Sequence, residues 1–246
     1  MTDASFADEL AASGTAKAVS FHIPADFKSL SLPVRLMQGT QILFILAQAA
    51  ACFLIFMSQY FIQRALAGDF ESEEQYFQEA SWLGPFSDLI FPITAGLFVL
   101  CVLAYCFFIY RAASNIQKAN ARGHDHMPTS SVGLGFVPLA NIGYIFIIMK
   151  GIWVASHDPK QGLYSMSILL PLWWGLYLVG SILGRLADTL IQSAVSEGDF
   201  NKMVTFSWIG VASSIGIIAS SITLLIIIRA IDRAQSRWPT LISDPA

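Results

Sequence analysis

Arg111 and Asn115 stand four residues apart, so a helix through them presents both on one face. A guanidinium beside a carboxamide can form a polar site or a gate. Asn141 follows Pro138 in a broken stretch and could reach the same place if the chain folds back beneath that helix. Arg111, Asn115, Pro138 and Asn141 also suit a hydrogen-bonded bracket that pins the break to a helix, and both readings stay open. Gly123-His124-Asp125-His126 has the look of a metal patch. A metal site needs three or four ligands, and His157 is the one further donor nearby, so these read as surface histidines and no metal is assigned. Arg185 and Asp188 can line an ion path or pair locally and snorkel. Gln48 sits in an apolar run and reads as an interhelical hydrogen-bonding residue. Six acids between residues 64 and 88 could bind a cation or form a solvated loop. No GxSxG, HExxH, P-loop or haem-like histidine pair occurs. No catalytic residue and no cofactor is assigned, and the reading is of a protein that is not an enzyme.

The elements that must position these residues are apolar helices. Of 246 residues 55% are hydrophobic and only 13% charged, against about 25% charged in a soluble domain. The mean hydropathy is +0.59. This is the composition of an integral membrane protein, with the lipid bilayer as its first partner. The net charge of −3 and the absence of a basic stripe exclude nucleic acid. Cys52, Cys101 and Cys106 all fall in apolar runs, which argues against a disulfide framework. No cleaved signal peptide is read in the first 38 residues.

In chain order, residues 1–38 read as a polar tail. Residues 39–110 form a first hairpin, with spans near 39–63 and 89–110 and an acidic outer loop. Residues 111–162 hold a basic loop and the broken segment. Residues 163–230 form a second hairpin, with spans near 163–195 and 204–228, and residues 231–246 a basic tail. Gly180-x-x-x-Gly184 places two glycines on one helix face for close packing. Trp173 and Trp174 read as interfacial belt residues.

Two landmarks recur in the two hairpins. Ile62-Gln63-Arg64-Ala65-Leu66-Ala67-Gly68-Asp69-Phe70 is similar to Ile191-Gln192-Ser193-Ala194-Val195-Ser196-Glu197-Gly198-Asp199-Phe200, with Glu197 inserted. Arg111-Ala112 with Gln117 matches Arg229-Ala230 with Gln235. The order predicts a parallel internal repeat. The broken segment must then return to the side it left, as a re-entrant or interfacial helix. Charge tests this through the positive-inside rule. Four spans place 11 of the 14 Lys and Arg inside, whereas a fifth span splits them 8 to 6.

The run Arg111-Ala112-x-x-Asn115, Phe136-Val137-Pro138-x-x-Asn141, Met149, Ser156-x-Asp158-Pro159 and Leu170-Pro171-Leu172-Trp173-Trp174 resembles the bacterial membrane family known as domain of unknown function 4328. The resemblance covers roughly residues 40–237. The chain departs from the pattern at Leu134 and Gly135, where the family often has tryptophans, and at Ile145, where it often has a second proline, as a divergent member would. The resemblance implies a multi-span protein of the bacterial inner membrane and no activity.

The expectation is therefore an all-α integral membrane protein. It has four transmembrane helices as two parallel-repeat hairpins, joined by a re-entrant or interfacial broken helix, with both termini cytoplasmic. The expected function is a non-enzymatic accessory or assembly subunit that binds another membrane protein or itself. The alternatives are a small channel or transporter with a polar site at the broken segment, and a lipid-acting membrane enzyme.

Overall fold

The computed structural model describes residues 21–23, 26–133 and 141–243, the last three of these and residues 141 and 142 by backbone alone. Among the described residues there are helices and no strand: α1 (Ser31–Ala67), α2 (Glu73–Ala80), α3 (Leu83–Lys118), α4 (Pro128–Gly133), α5 (Asn141–His157), α6 (Leu169–Glu197), α7 (Phe200–Ser236) and α8 (Trp238–Ser243). Four of them, α1, α3, α6 and α7, are long and apolar enough to cross a membrane.

All four outrun the bilayer, α6 by the least with 29 residues. About 20 residues cross a hydrocarbon core, yet α1 and α7 have 37 residues each and α3 has 36. Apolar runs mark only the lipid-facing part, so the expected spans fall short of these helix ends. The reverse holds at residue 163. Residues 163–167 are not helical, and α6 begins at Leu169. Ile168 is the N-cap and offers no side-chain cap, while the Ser167 hydroxyl just before it accepts the Leu169 N–H at 3.2 Å. The polar loop expected to run to Met203 is also shorter, since Asp199 accepts the Lys202 N–H at 3.0 Å and starts α7 at Phe200.

The first helix of each hairpin ends the same way. Gly68 (φ 77°) and Gly198 (φ 69°) are left-handed C-caps. Asp69 N donates to Arg64 O and Asp199 N to Ala194 O, each at 3.0 Å. A side chain would strain that conformation, which accounts for glycine at both points.

α1 packs on α3, α6 on α7, and α1 on α7. Packing is uneven along the bundle. In their apolar stretches the four long helices are only 11–39% buried, as suits helices surrounded by lipid. The fully enclosed side chains gather at one end. They include Met37 of α1, Phe108 and Ile116 of α3, Met149 and Ile152 of α5, and Ile231 of α7. Helix α5 thus lies against the ends of the long helices. Gly151 allows the preceding loop to rest on it, for a Cβ there would stand 2.7 Å from His124 Nδ1. A backbone hydrogen bond from Arg122 N to Pro159 O (3.0 Å) ties together the loops on either side of α5.

Candidate functional site

The tightly packed end holds one continuous polar network. Asn115, on α3, donates from Nδ2 to the carbonyl of Lys28 at 2.9 Å and to Oε1 of Gln235 at 3.0 Å. Gln235, on the last turn of α7, donates from Nε2 to Ser156 Oγ at 3.0 Å and to Ala112 O at 3.5 Å. Trp238 Nε1 donates to Ser156 O at 3.0 Å. Asn115, Ser156, Gln235 and Trp238 are all buried. The rings of Phe21 and Phe27 stand 5.4 and 5.9 Å from Trp238. The segment before α1, and α3, α5, α7 and α8, therefore meet in one latch.

Local sequence explains its members. Each is a single polar residue on the apolar face of a helix end, so burial of the face takes the polar atom with it. Buried polar atoms need partners, and these satisfy one another. The groups are two carboxamides, a hydroxyl, an indole and backbone carbonyls. None titrates near neutral pH and none is a nucleophile paired with a base. The arrangement joins elements and does no acid–base work.

The four candidates Arg111, Asn115, Pro138 and Asn141 fare differently. Asn115 is central to the latch. Arg111 lies one turn earlier, half-buried, and its Nε is buried without a hydrogen-bond partner among the described residues. Asn141 opens α5, but its side chain and all of Pro138 lie outside the described residues. Sequence reasoning missed Lys28 and Gln235 as partners of Asn115, and Ser156 and Trp238 as the next members of the network. The available signal was a polar residue at a helical position otherwise filled by apolar ones.

Gly180 and Gly184 lie where α6 meets α7. A Cβ on Gly180 would be 3.2 Å from the Ile217 backbone nitrogen, and one on Gly184 would be 2.9 Å from Ser213 Oγ. Ser213 Oγ donates to Gly180 O at 2.7 Å across the contact. Trp173 is not an interfacial belt residue. It is buried, its ring 6.3 Å from that of Tyr105, and its carbonyl accepts from Ser220 Oγ at 3.1 Å.

The histidines are not simple surface residues. His124 is largely enclosed over α5, with Nε2 at 3.2 Å from Ser131 Oγ, and His126 Nδ1 lies 3.0 Å from the Tyr144 hydroxyl. His157 is held apart from them, stacked on Tyr164 at 4.8 Å with Nδ1 at 2.8 Å from Trp153 O. No group of three or more His, Cys, Asp and Glu able to hold a metal occurs among the described residues.

Burial, helped by the nearby His126 and opposed by Asp125, lowers the His124 pKa to about 4. Burial also lowers that of His157, against the Trp153 carbonyl. Unfolding returns His124 to about 6.5, so between these values the unfolded chain takes up a proton that the folded one refuses. Its contribution to stability is complete above pH 6.5 and is lost as pH falls toward 4. Melting temperature in detergent is expected to fall over that window, with a slope of at most ~1.4 kcal/mol per pH unit from this residue. His124→Gln should flatten the profile; an unchanged slope would show that His124 does not carry it.

At the opposite end the ion pairs are open to solvent. Arg64 meets Glu79 at 2.7 Å and lies over the Phe70 ring at 4.5 Å, while Lys202 meets Glu197 at 2.6 Å. Arg185 and Asp188 are both exposed.

Residues 72–233 match the family model described as Domain of unknown function (DUF4328). No curated protein and no solved structure matches the chain.

Proposed function

Since the chain belongs to the DUF4328 family, whose description carries no activity, its role has to be argued from its own geometry, and we propose a non-enzymatic accessory or assembly subunit that binds another membrane protein. The observation behind this reading is the face of α3. Only 11% of its apolar stretch is buried, against 39% for α7. Where α3 diverges from α1, a groove of about 280 Å³ opens, lined by Phe53, Leu54, Trp82, Phe86, Leu89 and Ile93 among others, all apolar. Apolar side chains also suit lipid, so it is the concave shape of the groove, which close van der Waals packing of a foreign transmembrane helix would fill, that supports the reading. The latch adds no reactive group.

The orientation proposed with it is that of a bacterial inner-membrane protein with both termini cytoplasmic. The hairpins run parallel as an internal repeat, and α5 lies interfacial or re-entrant beneath them. Its support is the shared Gly-Asp-Phe cap at residues 68–70 and 198–200. The meeting of Lys28, Asn115 and Gln235 also brings the start of one hairpin to the ends of both.

A photo-crosslinking residue at Leu89 tests the reading, with one at Ile215, exposed on α7, as control. In native membranes Leu89 is expected to give one discrete protein adduct that also co-purifies stoichiometrically with a tagged chain, and Ile215 none. Lipid adducts alone at both positions would overturn it.

A further inference from the structure

A second polar feature runs through the apolar part of α1, away from the latch and the groove. Gln41, Gln48, Cys52 and Gln59 are separated by 7, 4 and 7 residues. At 3.6 residues per turn they fall within about 40° of one another, and the row spans roughly 27 Å, close to the ~30 Å of a hydrocarbon core. Gln41 and Gln59 are 7% and 3% exposed, and Gln48 and Cys52 are half-buried. Gln59 has both Nε2 and Oε1 buried without a partner among the described residues, and Gln41 has its Oε1 in the same state.

The row faces α7. The α3 side of α1 is marked by the Phe44–Phe98 ring contact at 6.2 Å and by Leu54, which clusters with Leu83. The row lies further round the helix, toward the Phe56–Trp208 contact at 6.4 Å. On α7, Ser213 and Ser220 are turned to α6 by their bonds to Gly180 O and Trp173 O. Ser214 and Ser221 follow each by one residue, about 100° round the helix, and both are buried as well. The glutamine row thus lies on the side of α1 that turns toward α7, a helix that carries buried neutral polar groups of its own.

An unpartnered buried polar atom is costly, and buried water commonly satisfies such atoms. Residues 36–63 contain no Asp, Glu, Lys or Arg, so the seam offers no charge to balance an ion. Gln59 asks for a ligand that donates and accepts. We infer that the α1–α7 seam is a wet track, a row of sites for water and uncharged solutes of similar size. This function goes beyond the accessory role and stands apart from the α3 groove.

Cys52 reports on it in the native chain. Methyl methanethiosulfonate reacts with a thiolate, which displaces methanesulfinate and leaves a mixed disulfide; the thiolate forms readily only where water reaches. With the full chain in liposomes, peptide mass spectrometry would follow Cys52 against Cys101, buried on α3. Cys52 is expected to react at least ~10-fold faster than Cys101. Gln59→Leu should slow it severalfold, and Gln41→Leu serves the same purpose if the first variant does not fold. A Cys52 rate equal to that of Cys101, or one unmoved by the leucine variants, would overturn the wet track.

Discussion

Gln235→Leu is expected to lower stability by about 2–4 kcal/mol, the largest loss for any single polar side chain of the latch. Leucine keeps the volume but removes both ends of the bridge. Asn115 Nδ2 loses its 3.0 Å acceptor and Ser156 Oγ its 3.0 Å donor, and neither atom can reach solvent because both residues are buried. A protein of this size should melt about 5–15 °C lower. The loss should be local first. Trypsin should cut at Arg122, Lys150 or Lys160 well before it cuts elsewhere, because the bridge holds α5 to the bundle. Gln235→Leu melting with the native protein, or without faster cleavage there, would show that the network contributes little.

Gly180→Leu is expected to prevent the α6–α7 hairpin from closing. A single Cβ at this point already lies 3.0 Å from Ile217 Cδ1 and 3.2 Å from the Ile217 backbone nitrogen. The terminal methyl can swing away, but the backbone cannot. Overpacking typically costs 1–3 kcal/mol, and a leucine here adds three further carbons against main chain and removes the Ser213–Gly180 bond. Gly180→Ala should be tolerated with a modest drop in melting temperature. Gly180→Leu should yield little folded protein on gel filtration in mild detergent. Equal yields from the two variants would place the close contact elsewhere.

The four long helices were legible because apolar composition over 20 or more residues has one outcome in a bilayer. Gly180 and Gly184 were legible because small residues four apart can only mark close approach. Helix ends were less so. Asp199 sets the start of α7 by a single side-chain hydrogen bond, and hydropathy does not register a cap. The site was the least legible part. Asn115 stands out in the sequence, but the side-chain bonds that link it to Lys28 and Gln235, and Gln235 to Ser156, join residues 79 to 120 apart, and spacing on one helix cannot reveal them. His124 was read as a surface residue because its loop is polar. Gly151, on another element, is what lets it sink.

The latch also imposes an order on biogenesis. Lys28, Asn115 and Ser156 leave the ribosome well before Gln235 and Trp238, which complete their bonds. Until then the carboxamide of Asn115 and the hydroxyl of Ser156 are unmatched, and the apolar side of α5, with Met149 and Ile152, lacks its cover from α7. A chain interrupted within α7 still carries three helices long and apolar enough to cross a membrane, but it leaves that side of α5 uncovered. Closure of the latch thus waits for the end of α7 and for Trp238, so the last residues of the bundle are the ones that satisfy polar atoms placed much earlier in the chain.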